Sequence, residues 1–226
     1  MTEFVIVAAV LVLLALIGTR YLNVARDKAL LRWARRFGLR YSDDLYNDME
    51  GRYPEFSCLR QGITRYADNI IDGRWGPRRI MAFDYHYSMG PENNAAQIYK
   101  TFSAVILESE VPLKDLLIRP ETLADKASAF FGFDDIDFES AEFSRKFFVQ
   151  GTDRQWAYDV IHPRTMDLLM TSPRFSVQMG GRFVIAWRTD KLSPDQFTQA
   201  AGLIAGILDG LPEYVRQQRA ESAQRQ

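Results

Sequence analysis

Asp84 and His86 are the residues whose types and spacing best suit chemistry. They lie in "RRIMAFDYHYSM" (78–89), where side chains alternate with a period of two. Residues at i and i+2 of a strand point to the same face about 7 Å apart. A modest side-chain movement at that distance lets a carboxylate orient an imidazole for general acid–base work. On the wet face of an antiparallel sheet the same two residues would be ordinary surface polarity, and that is the reading expected here.

The rest of the chain offers less. His86 and His162 are far apart, and with the single Cys58 they give no zinc spacing. The acidic run "DDIDFE" (134–139) lacks the glycine and the twelve-residue pattern of a calcium loop. Neither a G-x-S-x-G elbow nor a phosphate-cradling glycine loop occurs. Cys58, with no histidine near it in sequence, reads as a buried structural thiol. His162, just before Pro163, reads as the edge of a helix. The motifs imply no metal and no cofactor.

The elements that must position these residues follow from periodicity. Met81, Phe83, Tyr85 and Tyr87 share one face of the 78–89 strand, and Ile80, Ala82, Asp84 and His86 the other. This strand is expected to pair with "RYADNIID" through the turn "GRWGP". "QIYKTFSAVILES" (97–109) predicts a third strand, "DLLIRP" a fourth, and "FSRKFFVQG" another. "RFSVQM-GG-RFVIAWR" predicts a hairpin turning at Gly180-Gly181. "PETLADKASAFFG" predicts a helix opening at Pro120, and "DRQWAYDVIHPRTMDLLM" helices on both sides of Pro163. A helix is expected from Pro194 to Arg219, with Phe197, Ala200, Ala201, Ile204, Ile207, Leu208, Leu211 and Val215 on its buried stripe. Gly202, Gly206 and Gly210 weaken that helix and suggest close approach of another element. Strands joined by hairpins with helices between them argue α+β with an antiparallel sheet.

The N-terminus carries the strongest compositional signal. Phe4 to Ile17 holds no polar side chain, and its eleven Phe, Val, Ile and Leu residues favour a bilayer centre by about 3–7 kcal/mol. That run spans about 21 Å, and continuing through Ala25 brings it to about 33 Å, with Arg20 snorkelling and Tyr21 at the interface. A basic n-region and a small-residue cleavage site, the marks of an export signal, are lacking. The expectation is therefore a transmembrane anchor (1–22), a basic juxtamembrane helix (23–40), an α+β domain (41–219) and a disordered tail (220–226). Arg20, Arg26, Lys28, Arg32, Arg35, Arg36 and Arg40 follow the run. By the positive-inside rule they place the domain in the cytoplasm, with the N-terminus outside the inner membrane. The six bases from Arg20 to Arg36 are also the candidate membrane-surface residues, suited to anionic lipid headgroups.

At 226 residues, 47% hydrophobic and 13% aromatic, the chain is built to form a packed core. A net charge of −1 gives no argument for nucleic acid.

From "IIDGRWGPRRIMAFDYHYSMG" onward a series of landmarks recurs: D-G-R-x-G with "FDY", then "RPE", "DIDFE", "FSRKFFVQGTD", Ala157 and "HPRTMDLL". In this order they resemble a group of bacterial membrane-associated proteins of unknown function, over roughly residues 60–170. The resemblance implies an N-terminal hydrophobic anchor and no known activity, so no site residue is carried over from it. The functional expectation is a membrane-tethered, non-enzymatic binding or scaffold domain, with the lipid bilayer and a membrane protein as partners. Two alternatives stand beside it: a membrane-associated hydrolase using Asp84 and His86, and an accessory subunit of a membrane complex.

Overall fold

A computed structural model describes residues 2–90, 97–121, 136 and 138–224. One antiparallel sheet of six strands organises it: β1 (Arg40–Ser42), β2 (Ile63–Trp75), β3 (Arg78–Met89), β4 (Ile98–Pro120), β5 (Phe147–Gly151) and β6 (Ser176–Thr189). Strands β1 to β5 lie side by side in chain order, and β6 also pairs with β4. The helices are α1 (Thr2–Arg36), α2 (Met49–Arg52), α3 (Ala141–Lys146), α4 (Arg154–Val160), α5 (Pro163–Thr171), α6 (Pro194–Asp209) and α7 (Glu213–Gln224), with a 3-10 turn at Ser57–Arg60.

The period of two in β3 separates two cores. Its even-numbered Ile80 and Ala82 join Val105 and Leu107 of β4 under Leu30, Trp33 and Ala34 of α1 and Phe197, Ala200, Ile204 and Leu208 of α6. Its odd-numbered Met81, Phe83 and Tyr85 join Phe102 and Ile106 under Met49, Tyr53, Phe56, Cys58 and Leu59. Each fully buried large side chain contributes about 1.5–3 kcal/mol, so both covers hold firmly. The face expected to be wet is therefore a core, and Asp84 is fully buried in it.

Several expectations hold in the structure. The β2–β3 hairpin turns at Gly76-Pro77, and helices flank Pro163. In α6 the expected stripe is buried, and Ser193 with Gln196 forms a capping box ahead of Pro194. Close approach is real at Gly206, where a Cβ would sit 2.7 Å from Leu168 of α5, but nothing crowds Gly202.

Others are corrected. Among the described residues no helix is long and apolar enough to cross a membrane, so the transmembrane, single-pass arrangement does not stand. The strictly apolar run is too short by itself. Its extension meets Arg20, and from Arg26 onward the same helix is committed to the domain's core. The fold is α+β with a long N-terminal helix, α1, unbroken across the boundary expected at 22/23. Gly180-Gly181 is not a hairpin turn. β6 runs straight through it beside β4, which is itself one 23-residue strand rather than two. The register slips between Glu108 and Leu116, and Gly181 (φ +56°) and Pro112 both fall in this irregular stretch. Ladder hydrogen bonds are interrupted there, so a residue without an N–H fits. "FSRK" closes α3 and only "FFVQG" is strand. The helix expected from 194 to 219 breaks at Gly210–Pro212, and α7 continues to Gln224. The helix expected after Pro120 falls almost wholly outside the described residues.

Candidate functional site

Asp84 sits at the middle of β3, directly opposite Ser103 of β4. Its carboxylate has no contact with solvent, and a charge so placed must be paired and hydrogen-bonded. Arg26 of α1 meets both of its oxygens with a two-pronged ion pair, Nη1 to Oδ2 at 2.7 Å and Nη2 to Oδ1 at 2.8 Å. Ser103 Oγ donates to Oδ1 at 2.5 Å and Asn69 Nδ2 to Oδ2 at 3.1 Å. Each oxygen thus accepts two hydrogen bonds, with Lys191 Nζ a further 3.8 Å from Oδ2. Arg26 Nε also donates to the carbonyl of Leu192 at 2.9 Å, and the Leu192 N–H donates to Ser103 Oγ at 2.9 Å. Tyr41 extends the network from β1, its hydroxyl donating to Asn69 Oδ1 at 2.5 Å. Burial and then the nearby carboxylates, Asp27 foremost, push the Tyr41 phenol up to about 12.

Two backbone irregularities aim these groups. Asn69 (φ +50°) lies in the register slip between Asp68 and Ile71, and Asp190 (φ +77°) directly follows β6, just before Lys191 and Leu192. Asn and Asp visit the left-handed region more readily than other side chains, still at a cost of about 1–3 kcal/mol. Here that conformation turns Asn69 toward Asp84 and lays the Lys191–Leu192 segment across β4.

His86 shares the face of Asp84 but answers to other partners. Its Nε2 is 3.0 Å from Asp68 Oδ1, its Nδ1 3.0 Å from Thr101 Oγ1, and its ring stacks on Tyr66 at 4.7 Å between centroids. With Nε2–H donating to Asp68, Nδ1 accepts from the Thr101 hydroxyl. The structure therefore gives Asp84 to Arg26 and His86 to Asp68, and does not join the two residues that spacing suggested. Of the six bases expected to face lipid, Arg20, Lys28, Arg32, Arg35 and Arg36 are exposed, whereas Arg26 turns inward. Sequence reasoning missed Asp68, Asn69, Thr101 and Ser103. The pairing of β2, β3 and β4 could have suggested Thr101, which stands opposite His86.

No family model matches the chain, and no curated protein matches it. The six-stranded antiparallel α+β fold does have a solved counterpart. The structure of the mycobacterial trehalose monomycolate transport factor A, TtfA, superposes with a TM-score of 0.57 over 82% of this chain and 93% of that one, at 12% identity. At that identity the likeness is one of fold.

Proposed function

We propose that this chain is a non-catalytic accessory module that binds a protein of a membrane-associated assembly through the N-terminal half of α1. The observation that carries this reading is exposure: Phe4, Val7, Leu11, Leu13, Leu14 and Ile17 are each 57–84% exposed. Positions 4, 7, 11 and 14 follow one helical face, while 13 and 17 point elsewhere. A helix apolar on more than one side needs cover on more than one side. The apolar helices of a partner supply such cover, and the exposed Arg20, Lys28, Arg32, Arg35 and Arg36 behind it suit anionic headgroups nearby. The fold it shares with a transport factor accords with an accessory role. A Leu11→Asp/Leu14→Asp double variant should lose a discrete partner recovered from membranes with the full chain, while its melting temperature stays within about 2 °C because both sites are exposed. Recovery of the same partner in equal yield would sink the proposal.

A second reading rests on Asp68–His86–Thr101, which has the connectivity of orienter, base and hydroxyl nucleophile. On this reading the chain is a hydrolase whose nucleophile is Thr101, with Asp84 outside the site. Activity toward an activated ester that vanishes in both Thr101→Val and His86→Gln would favour it. Equal turnover by wild type and both variants would remove it.

A further inference from the structure

The end of the sheet toward which α1 departs carries a second group of exposed apolar side chains. α1 runs against the direction of β3. Its Trp33 ring stacks on Trp75, beside the β2–β3 turn, at 6.2 Å between centroids, and its Arg26 grips Asp84 further along β3. β1, reached from α1 by a short turn, is antiparallel to β2 and so runs with β3, as a reversal after α1 requires. Followed back toward its N-terminus, the unbroken helix therefore heads for the end of β3 at Met89. β4 begins at that same end, with Ile98 directly opposite Met89.

Three large side chains at this end stand in solvent: Met89 is 48% exposed, Ile98 58% and Tyr99 75%. They do not share a face. Met89 and Ile98 lie on the Phe83 and Tyr85 side of the sheet, whereas Tyr99, opposite Ser88, lies on the Asp84 side. A protein groove pressed against one face would leave the other wet. Side chains projecting from both faces of a strand end are covered together only by a medium that surrounds that end. Their chemistry fits the headgroup region of a bilayer, where a tyrosine ring sits at the boundary and apolar side chains point inward. Lys100, next to Tyr99, and Arg20, on the departing helix, are both exposed and supply positive charge for anionic headgroups.

We propose that this end of the β3–β4 pair, Met89 with Ile98, Tyr99 and Lys100, is a second contact surface that rests in the headgroup layer of an anionic membrane. It rests on the reading of α1 as the docking element for its orientation only, since a helix held by a membrane-associated partner brings this end to the bilayer surface. The contact is peripheral and involves no spanning segment. Arg26 ties α1 to Asp84 on the same strand, so helix and strand end are held in one fixed relation.

The test places an environment-sensitive fluorophore at Ile98→Cys in the full chain and, as a control, at Arg79→Cys, exposed at the opposite end of β3. Cys58 is buried and escapes the label in the folded protein. With vesicles of phosphatidylglycerol in phosphatidylcholine, the Ile98 probe should brighten and shift to the blue while the Arg79 probe stays as in water. Tyr99→Asp/Lys100→Glu should weaken vesicle binding about tenfold or more without lowering the melting temperature, because both side chains are exposed. Recovery of the membrane partner is scored separately with Leu11→Asp/Leu14→Asp. If that variant keeps the partner while the Ile98 probe still responds to vesicles, the reading of α1 fails and the strand-end contact stands. If it loses the partner while the Ile98 probe stays silent on vesicles, the reading of α1 stands and this inference is overturned. Vesicle binding indifferent to Tyr99→Asp/Lys100→Glu, and so carried by α1 alone, overturns it too. So does an Ile98 probe that answers only to the recovered partner, which would make the strand end part of a protein interface.

Discussion

On one face of β3, six residues and about 20 Å apart, two charged clusters are built in opposite ways. Around Asp84 every oxygen of the carboxylate is engaged, and the groups that engage it come from α1, β2, β4 and the segment after β6. Around Arg78 the guanidinium is buried and held by Asp209 at 2.7 Å, yet its Nε–H has no hydrogen-bond partner among the described residues, and Arg79 and Arg182 stand 3.7 and 4.0 Å from Glu108. A saturated buried charge fixes the elements that contribute to it. An unsaturated one leaves bonding capacity unused. The difference teaches where this fold is locked and where it is open.

The largest effect should come from unlocking Asp84. Arg26→Met removes the two-pronged partner and strands a buried carboxylate, which should cost about 3–5 kcal/mol and lower the melting temperature by roughly 6–20 °C. Adding Asp84→Asn should restore part of that loss, since no charge is then left unpaired. A calorimetric double-mutant cycle measures both. Additive losses would mean that the pair does not hold α1 down.

A smaller effect should appear at high pH. The Tyr41 phenol is raised to about 12 in the fold, against 10.0 when free. The unfolded chain therefore releases this proton first, and stability should fall as pH rises from 10.0 toward about 12. Tyr41→Phe should make denaturant midpoints less steep across that window. An unchanged slope would argue against its buried link to Asn69. The smallest effect is expected at the open cluster. Arg79→Gln should shift stability by no more than about 0.5 kcal/mol, because that side chain is exposed and its ion pair long. A large loss there would make the arginine cluster a second lock and erase the contrast.

Local signals were the legible ones. The β2–β3 hairpin and the stripe of α6 stand out because alternation and three-to-four spacing are properties of short windows. The Gly180-Gly181 hairpin was misjudged for the same reason. A two-glycine turn is a strong local pattern, but β4 runs alongside the whole of β6 and converts the glycines into an irregularity within one strand. Gly180 lies close to the Asp115 side chain there, and a Cβ would meet Oδ1 at 2.7 Å. Arg26 was the costliest misreading. In a row of bases after an apolar run it looks like its neighbours, and only a carboxylate 58 residues away distinguishes it. Asp84 looked like surface polarity because nothing in the strand shows that α1 and α6 cover that face.

The bond from Arg26 to the Leu192 carbonyl also has a meaning in time. The two residues are separated by 166 positions. At about 5–20 residues per second, roughly 8–33 s pass between their syntheses. For much of that interval Leu30, Trp33 and Ala34 exist without β6 or α6 to cover them. The nascent chain thus carries an uncovered apolar face on α1 until α6 has been made.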